Sequence, residues 1–252
     1  MADAENEAQE TPRTWWSEAL DWLRSALYFV PLYFVFTTAA FGNYVIPSES
    51  MVPALEVGDR VIVSKFAYGY SRYSLPLGIG QVLPASTQRL FAQAPERGDV
   101  VVFRHPRTGV TMIKRLVGLP GDTIMVRAGR LIVNGAPVAL TASRTRVREA
   151  HQAGLESFTQ SEETLPNGVR HLIHELPRAN ALDDFGPITI PAGHYFMMGD
   201  NRDNSLDSRW SGMGLVPAEN LIGRAETVYF AAPRCNRADC PERQRFLRPF
   251  HD

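Results

Sequence analysis

Cysteine is nearly absent from these 252 residues: there are two, Cys235 and Cys240, five positions apart near the C-terminus. Two thiols cannot build a structural zinc site alone, so they leave either a local disulfide or two surface thiols. No excess of one charge exists either. The 26 basic and 27 acidic residues are mixed along the chain and leave a net charge of −1, which excludes the basic surface of a nucleic-acid binder. The six histidines are scattered, and His171-Leu-Ile-His174 lacks the His-Glu-x-x-His arrangement of zincins, so no metal and no cofactor is expected. Gly-x-Ser-x-Gly and Ser-x-x-Lys are both missing, which closes the routes of α/β-hydrolases and penicillin-binding enzymes. No repeat of about 20 to 50 residues is present. A hydrophobic content of 44% remains, ample for a buried core in one elaborated domain or two small ones.

From Ser25 to Ile46 the chain carries no charge. A helix needs about 20 apolar residues to cross a bilayer, and Trp15, Trp16, Trp22 and Tyr44 flank the run as interfacial aromatics do. This reads as one transmembrane anchor over 25–46, after a polar tail over 1–24, with Pro31 a candidate kink. A cleaved signal peptide is the rival, because Thr38-Ala39-Ala40 offers small residues. The acidic leader with only Arg13 and Arg24 argues against it.

Beyond the anchor, residues 47–252 read as an all-β, mainly antiparallel domain. Gly-Asp pairs at 58–59, 98–99, 121–122 and 199–200 read as turns. The strand candidates are 60–65, 100–105, 111–117, 123–126, 130–133, 188–190, 193–198 and 225–230. Asn134-Gly135 marks a hairpin, since both turn positions favour positive φ. Residues 141–185 are polar and read as an inserted, partly exposed lobe. The stretch from Tyr68 to Ile79 carries only Arg72 as a charge and fits either an interfacial loop or a loop covering the core.

Three polar blocks could carry chemistry. In Ile46-Pro-Ser48-Glu-Ser50-Met-Val-Pro53 two hydroxyls sit between prolines that restrict the backbone, a stiff mount for a nucleophile or simply a linker leaving the membrane. Lys114 lies in an apolar strand and shares a face with Met112 and Leu116. A free lysine has a pKa near ~10.4 and is almost wholly protonated at pH 7. Burial would lower that value and make the amine a base, whereas an amine reaching water would be inert. The block from Met198 to Arg209 is almost wholly polar, as a mutually bonded network or a solvated turn would be. Its spacing does not match a calcium loop.

In this order the blocks resemble bacterial type I signal peptidase, a family of serine proteases with a Ser/Lys dyad. Pro47-Ser-x-Ser-Met51-x-Pro53 is similar to the nucleophile box, and Gly58-Asp-x-x-x-Val63-x-Lys65 to the strand after it. Arg97-Gly-Asp-Val-Val-Val-Phe103 and Ile113-Lys-Arg-x-Val-Gly-Leu-Pro-Gly-Asp122 are similar to the boxes leading to and carrying the lysine. Gly199-Asp-Asn-Arg-x-Asn-Ser205-x-Asp207-Ser-Arg209 is similar to the last box. The resemblance implies that Ser50 is the nucleophile, Lys114 the general base, and the Ser48 hydroxyl with the Ser50 N–H the oxyanion hole. It further implies that Ser205 positions the lysine, that Asp207 supports that network, and that Asp200 pairs with Arg115 or Arg209. Ile46, Pro47, Met51, Leu55, Met112 and Ile113 are then expected to line pockets for small side chains. The implied partners are exported preproteins with small residues at −3 and −1 and membrane lipid, and the implied location is the bacterial inner membrane with a periplasmic catalytic domain. The family's usual Arg-Tyr-Trp-Gly-Phe-Val-Pro is replaced by Arg209-Trp-Ser-Gly-Met-Gly-Leu-Val-Pro217. A self-cleaving repressor would need a DNA-binding domain that is not visible. A non-catalytic membrane-tethered binding module of the same fold would not need the full set of polar residues.

Overall fold

The computed structural model describes residues 15–74, 89–150, 154–178, 180–231 and 250. Cys235, Cys240 and the part of the tyrosine-rich stretch from Leu75 to Ile79 lie outside them.

The uncharged run does not form one element. Helix α1 covers Trp15–Ala39, and strand β1, Phe41–Val45, follows at once. The last residues expected in the anchor are therefore sheet. Only Ser25 to Ala39 of the run is helical, and tyrosines, threonines and Pro31 dilute its apolarity. Among the described residues no helix is long and apolar enough to cross a membrane. The helix nonetheless exposes Trp22, Leu23, Leu27, Phe29, Val30, Leu32 and Phe36. Phe36 meets Phe41 edge-on at 6.0 Å, and Phe41 meets Phe66 at 5.6 Å, which joins the helix end to the first strands.

A seven-stranded antiparallel sheet forms the centre. Its members include β1, β2 (Arg60–Ser64), β3 (Val100–Arg104) and β4 (Thr111–Gly118). A second sheet uses β5 (Thr123–Arg127), β6 (Arg130–Val133) and β7 (Ala136–Pro137). Asn134 and Gly135 join the last two with φ of 53° and 81°, the backbone that this dipeptide accommodates best. The polar segment contains β8 (Ala139–Ala150), β9 (Gly154–Thr164) and β10 (Arg170–Glu175), a separate antiparallel sheet. Then β11 (Phe185–Thr189) joins β5. Finally β12 (His194–Met198), β13 (Val216–Pro217) and β14 (Leu221–Phe230) return to the large sheet. Its order is β1-β2-β14-β3-β4-β12-β13.

Both faces of the large sheet are covered. Val100, Val102 and Ile113 join Ile46, Met51, Leu55, Val61 and Val63 in one cluster. Val101, Phe103 and Leu116 join Tyr68, Met197 and Val216 in another. That is why β3 opens as a continuous apolar run, Val100 to Phe103, rather than an alternating one. Tyr68 is buried and its hydroxyl donates to Asp99 at 2.8 Å, so this part of the tyrosine-rich stretch covers the core.

Apolar packing and charge both fasten the lobe to the domain: Leu165, between β9 and β10, is buried in a cluster with Val117, Ile124 and Phe196. Glu163 on β9 is buried and accepts from Arg202, which follows β12, at 2.5 Å. His171 on β10 places Nε2 3.2 Å from the Glu163 carboxylate. Burial alone would push Glu163 up, but Arg202 and His171 outweigh it and hold its pKa at about 2. A depressed carboxylate contributes stability above its unfolded value and loses it on acidification. Stability at this site should therefore fall as pH drops from about 4.5 towards about 2. Removing one partner of a buried ion pair strands the other charge. Glu163→Ala should cost about 3 to 5 kcal/mol in denaturant unfolding at pH 7 and flatten that acid limb.

Candidate active site

Ser50 sits in a single 3-10 turn, Glu49–Met51, which follows β1 after Ile46, Pro47 and Ser48. The turn points Met51 into the core, where it and Leu55 are fully buried, and leaves the Ser50 hydroxyl towards a cleft. Lys114 approaches from β4, opposite Val101 of β3. Its Nζ donates to Ser50 Oγ at 2.5 Å and to the Ile113 carbonyl at 3.1 Å. Only 3% of the Lys114 surface is exposed. Burial lowers its pKa to about 8, against the opposing pull of Asp207 and Asp200. Ser48 Oγ stands 3.3 Å from Ser50 Oγ.

The two carboxylates are each taken by an arginine. Arg115 forms two 2.8 Å bonds to Asp200 and a third of 2.8 Å to the Gly98 carbonyl. Arg209 bonds both oxygens of Asp207 at 2.9 Å, and the Gly199 N–H donates to the same carboxylate at 3.0 Å. Of the two pairings open for Asp200, the structure has Arg115. Burial would raise the Asp207 pKa, but the Arg209 charge and these bonds hold it below the ordinary carboxylate value. Ser205 is buried, yet its hydroxyl has no hydrogen-bond partner, so no bond links it to Lys114. The lysine's amine is instead committed to Ser50 and Ile113.

The cleft has a volume of about 450 Å³. Ile46, Pro47, Met112 and Ile113 line it, together with Ser48, Ser50 and Lys114. Met51 and Leu55 do not, because the turn after Ser48 directs both into the cluster beneath. Sequence reasoning missed Tyr44, Val45, Val102, His105, Val110, Leu206 and Trp210, which also face the cleft. Trp210 occupies part of the segment that departs from the usual pattern, and it stacks edge-on with His105 at 6.4 Å. Among the described residues no group of His, Cys, Asp or Glu could hold a metal ion.

Residues 19–230 match the family described as signal peptidase, peptidase S26. The chain belongs to this family. It is 41% identical over 210 residues to signal peptidase I of Pseudomonas aeruginosa, covering 79% of this chain and 68% of that protein. It is 37% identical over 195 residues to signal peptidase I of Rickettsia typhi, covering 75% and 71%. A solved signal peptidase I from Enterococcus faecalis V583 aligns at a TM-score of 0.32 and 25% identity, over 52% of this chain and 97% of that one. That score is too low to argue from.

Within this signal peptidase family chain, the Gly199 backbone packs directly against Ser205 and Ser50. A methyl group there would collide with the Ser205 side chain and the Ser50 carbonyl. Something must shift, and a displacement of about 1 Å at a reacting group can cost about 10²-fold in rate. Gly199→Ala should lower peptidase turnover by that order while the protein still folds, as circular dichroism would show.

Proposed function

We propose that this chain removes N-terminal signal peptides from exported preproteins, with Ser50 as nucleophile and Lys114 as general base. The observation that carries the reading is the 2.5 Å contact between a buried lysine amine and a serine hydroxyl in one cleft. Ser50 Oγ attacks the scissile carbonyl and its proton passes to Lys114 Nζ. The carbonyl oxygen, now negative, meets the Ser50 backbone N–H and the Ser48 hydroxyl. Collapse breaks the peptide bond as the ammonium returns a proton to the leaving amine. Water, deprotonated by the same lysine, then hydrolyses the ester. Ser205 and Asp207 shape the environment of the amine.

Small side chains at −1 and −3 suit a narrow apolar cleft walled by Ile46, Pro47, Met112 and Ile113. One small-residue pocket separates neighbouring side chains by only about 1 to 3 kcal/mol, so two subsites are needed for useful selectivity. Helix α1 is the membrane contact in this reading. From Ser25 to Ala39 it carries no charge, and Leu27, Phe29, Val30 and Leu32 are exposed around it as lipid-facing side chains would be, while Trp15, Trp16 and Trp22 suit one headgroup layer. We place it as a single pass in the bacterial inner membrane with the catalytic domain on the periplasmic face. Its uncharged part is short for a bilayer, and local thinning would accommodate it. Ser50 follows β1 closely, so substrate and nucleophile share the membrane surface.

Cleavage of a preprotein with Ala at −3 and −1 by the detergent-solubilised chain tests the reading. The parent should cut after the −1 Ala, and folded Ser50→Ala and Lys114→Ala should not; a folded parent that fails to cut would sink it. Lys114→Arg should be as inactive as Lys114→Ala, because a guanidinium with a pKa above about 12 cannot accept the proton. The base works only when neutral, so the rate should rise with pH and level off above about 8. Ser48→Ala should lower the rate by roughly 10²-fold with little change in substrate affinity.

A further inference from the structure

One residue brackets Ser50 on both sides. The Asn201 side chain donates from Nδ2 to the Glu49 carbonyl at 3.1 Å, and its backbone N–H donates to the Ser50 carbonyl at 3.2 Å. These acceptors belong to the two peptide units that flank the Ser50 Cα. Asn201 is 3% exposed. A carbonyl oxygen can only accept, so the nitrogen of the carboxamide must face Glu49.

A trans peptide is planar, with its C=O and N–H pointing in opposite directions. Fixing the direction of the Glu49 carbonyl therefore fixes the direction of the Ser50 N–H. We infer that Asn201 is a positioning residue for the oxyanion hole: its carboxamide holds the Glu49–Ser50 peptide so that the Ser50 N–H stays aimed at the reacting carbonyl. The inference rests on Ser50 being the nucleophile.

Within the local chain, the Val52 N–H also donates to the Glu49 carbonyl, at 3.1 Å. A single 3-10 turn has poor bond geometry and is a weak restraint alone. Asn201 adds a restraint from a distant part of the chain, and that part is firmly held. The His174 N–H on β10 donates to the Asp200 carbonyl at 2.8 Å, and the Arg202 N–H donates back to the His174 carbonyl at 2.8 Å. The neighbours of Asn201 in sequence carry the buried pairs Asp200 with Arg115 and Arg202 with Glu163. The donor facing Glu49 is thus mounted on a segment anchored from both sides. Preorganised donors of this kind stabilise developing charge without reorganising during the reaction.

The test uses the full chain in detergent and compares the parent with Asn201→Ala, Asn201→Asp and Ser50→Ala. The aspartate keeps the shape and the backbone bond but, when ionised, cannot donate to Glu49. Both Asn201 variants should lose about tenfold or more in kcat with KM changed by less than about twofold. Affinity for a peptide boronate, which forms a tetrahedral adduct on Ser50, should fall by the same factor as kcat/KM. Affinity for an uncleavable peptide carrying Pro at +1 should stay at the parent's value. Unchanged kcat in both variants overturns the inference, as does an equal loss of boronate and uncleavable-peptide affinity. Parent-like cleavage by Ser50→Ala would instead remove the nucleophile itself, and this inference with it.

Discussion

A lysine amine is a base near neutral pH only where its charge is poorly solvated, and the short contact of Lys114 with Ser50 imposes that condition on the surrounding structure. Two effects compete at the amine. Burial between the faces of the large sheet lowers its pKa, while the fields of Asp207 and Asp200 raise it, and burial wins. The margin depends on how the carboxylates are bound. Each is matched by an arginine at hydrogen-bond distance, which fixes where the carboxylate sits.

The same polar loop connects the lobe to the nucleophile. The buried Glu163 carboxylate of β9, which faces the His171 imidazole of β10, meets Arg202, the backbone of β10 holds the residues on either side of Asn201, and Asn201 holds the turn that carries Ser50. Ion pairs of this kind add little net stability compared with apolar packing, but they tolerate few alternative arrangements. That trade suits a site in which the direction of one N–H matters more than a few kcal/mol of folding energy.

How much of this can be read in the chain depends on whether the signal is local. Asn134-Gly135 and the β-branched runs of β2, β3, β4 and β6 carry their own turn and strand chemistry, and the elements lie where those residues place them. Phe41–Val45 is hidden because its apolar residues continue the uncharged run of α1; only pairing with β2 makes it a strand. β8 is hidden because most of its described side chains are exposed, and β9 because the positions it buries include the polar Ser161 and Glu163, so neither shows the apolar alternation of a half-buried strand. The proximity of Ser50 and Lys114 is implied by the resemblance and not by any spacing. Met51 and Leu55 are misplaced for a geometric reason, since the 3-10 turn that presents Ser50 rotates them into the core. Trp210, His105 and Asn201 reach the site through long-range contacts to which no local pattern points.

Catalysis by the dyad depends on Lys114 being a depressed, buried amine, and direct titration is the measurement that bears on it most closely. Selective isotope labelling of lysine in the full chain, with Lys114→Met used to assign the signal, would follow that one amine by NMR as pH is varied. A midpoint near about 8 is the result predicted here. A midpoint close to the ordinary value of about 10.4 would mean that the amine is solvated, and the lysine-base account would be wrong.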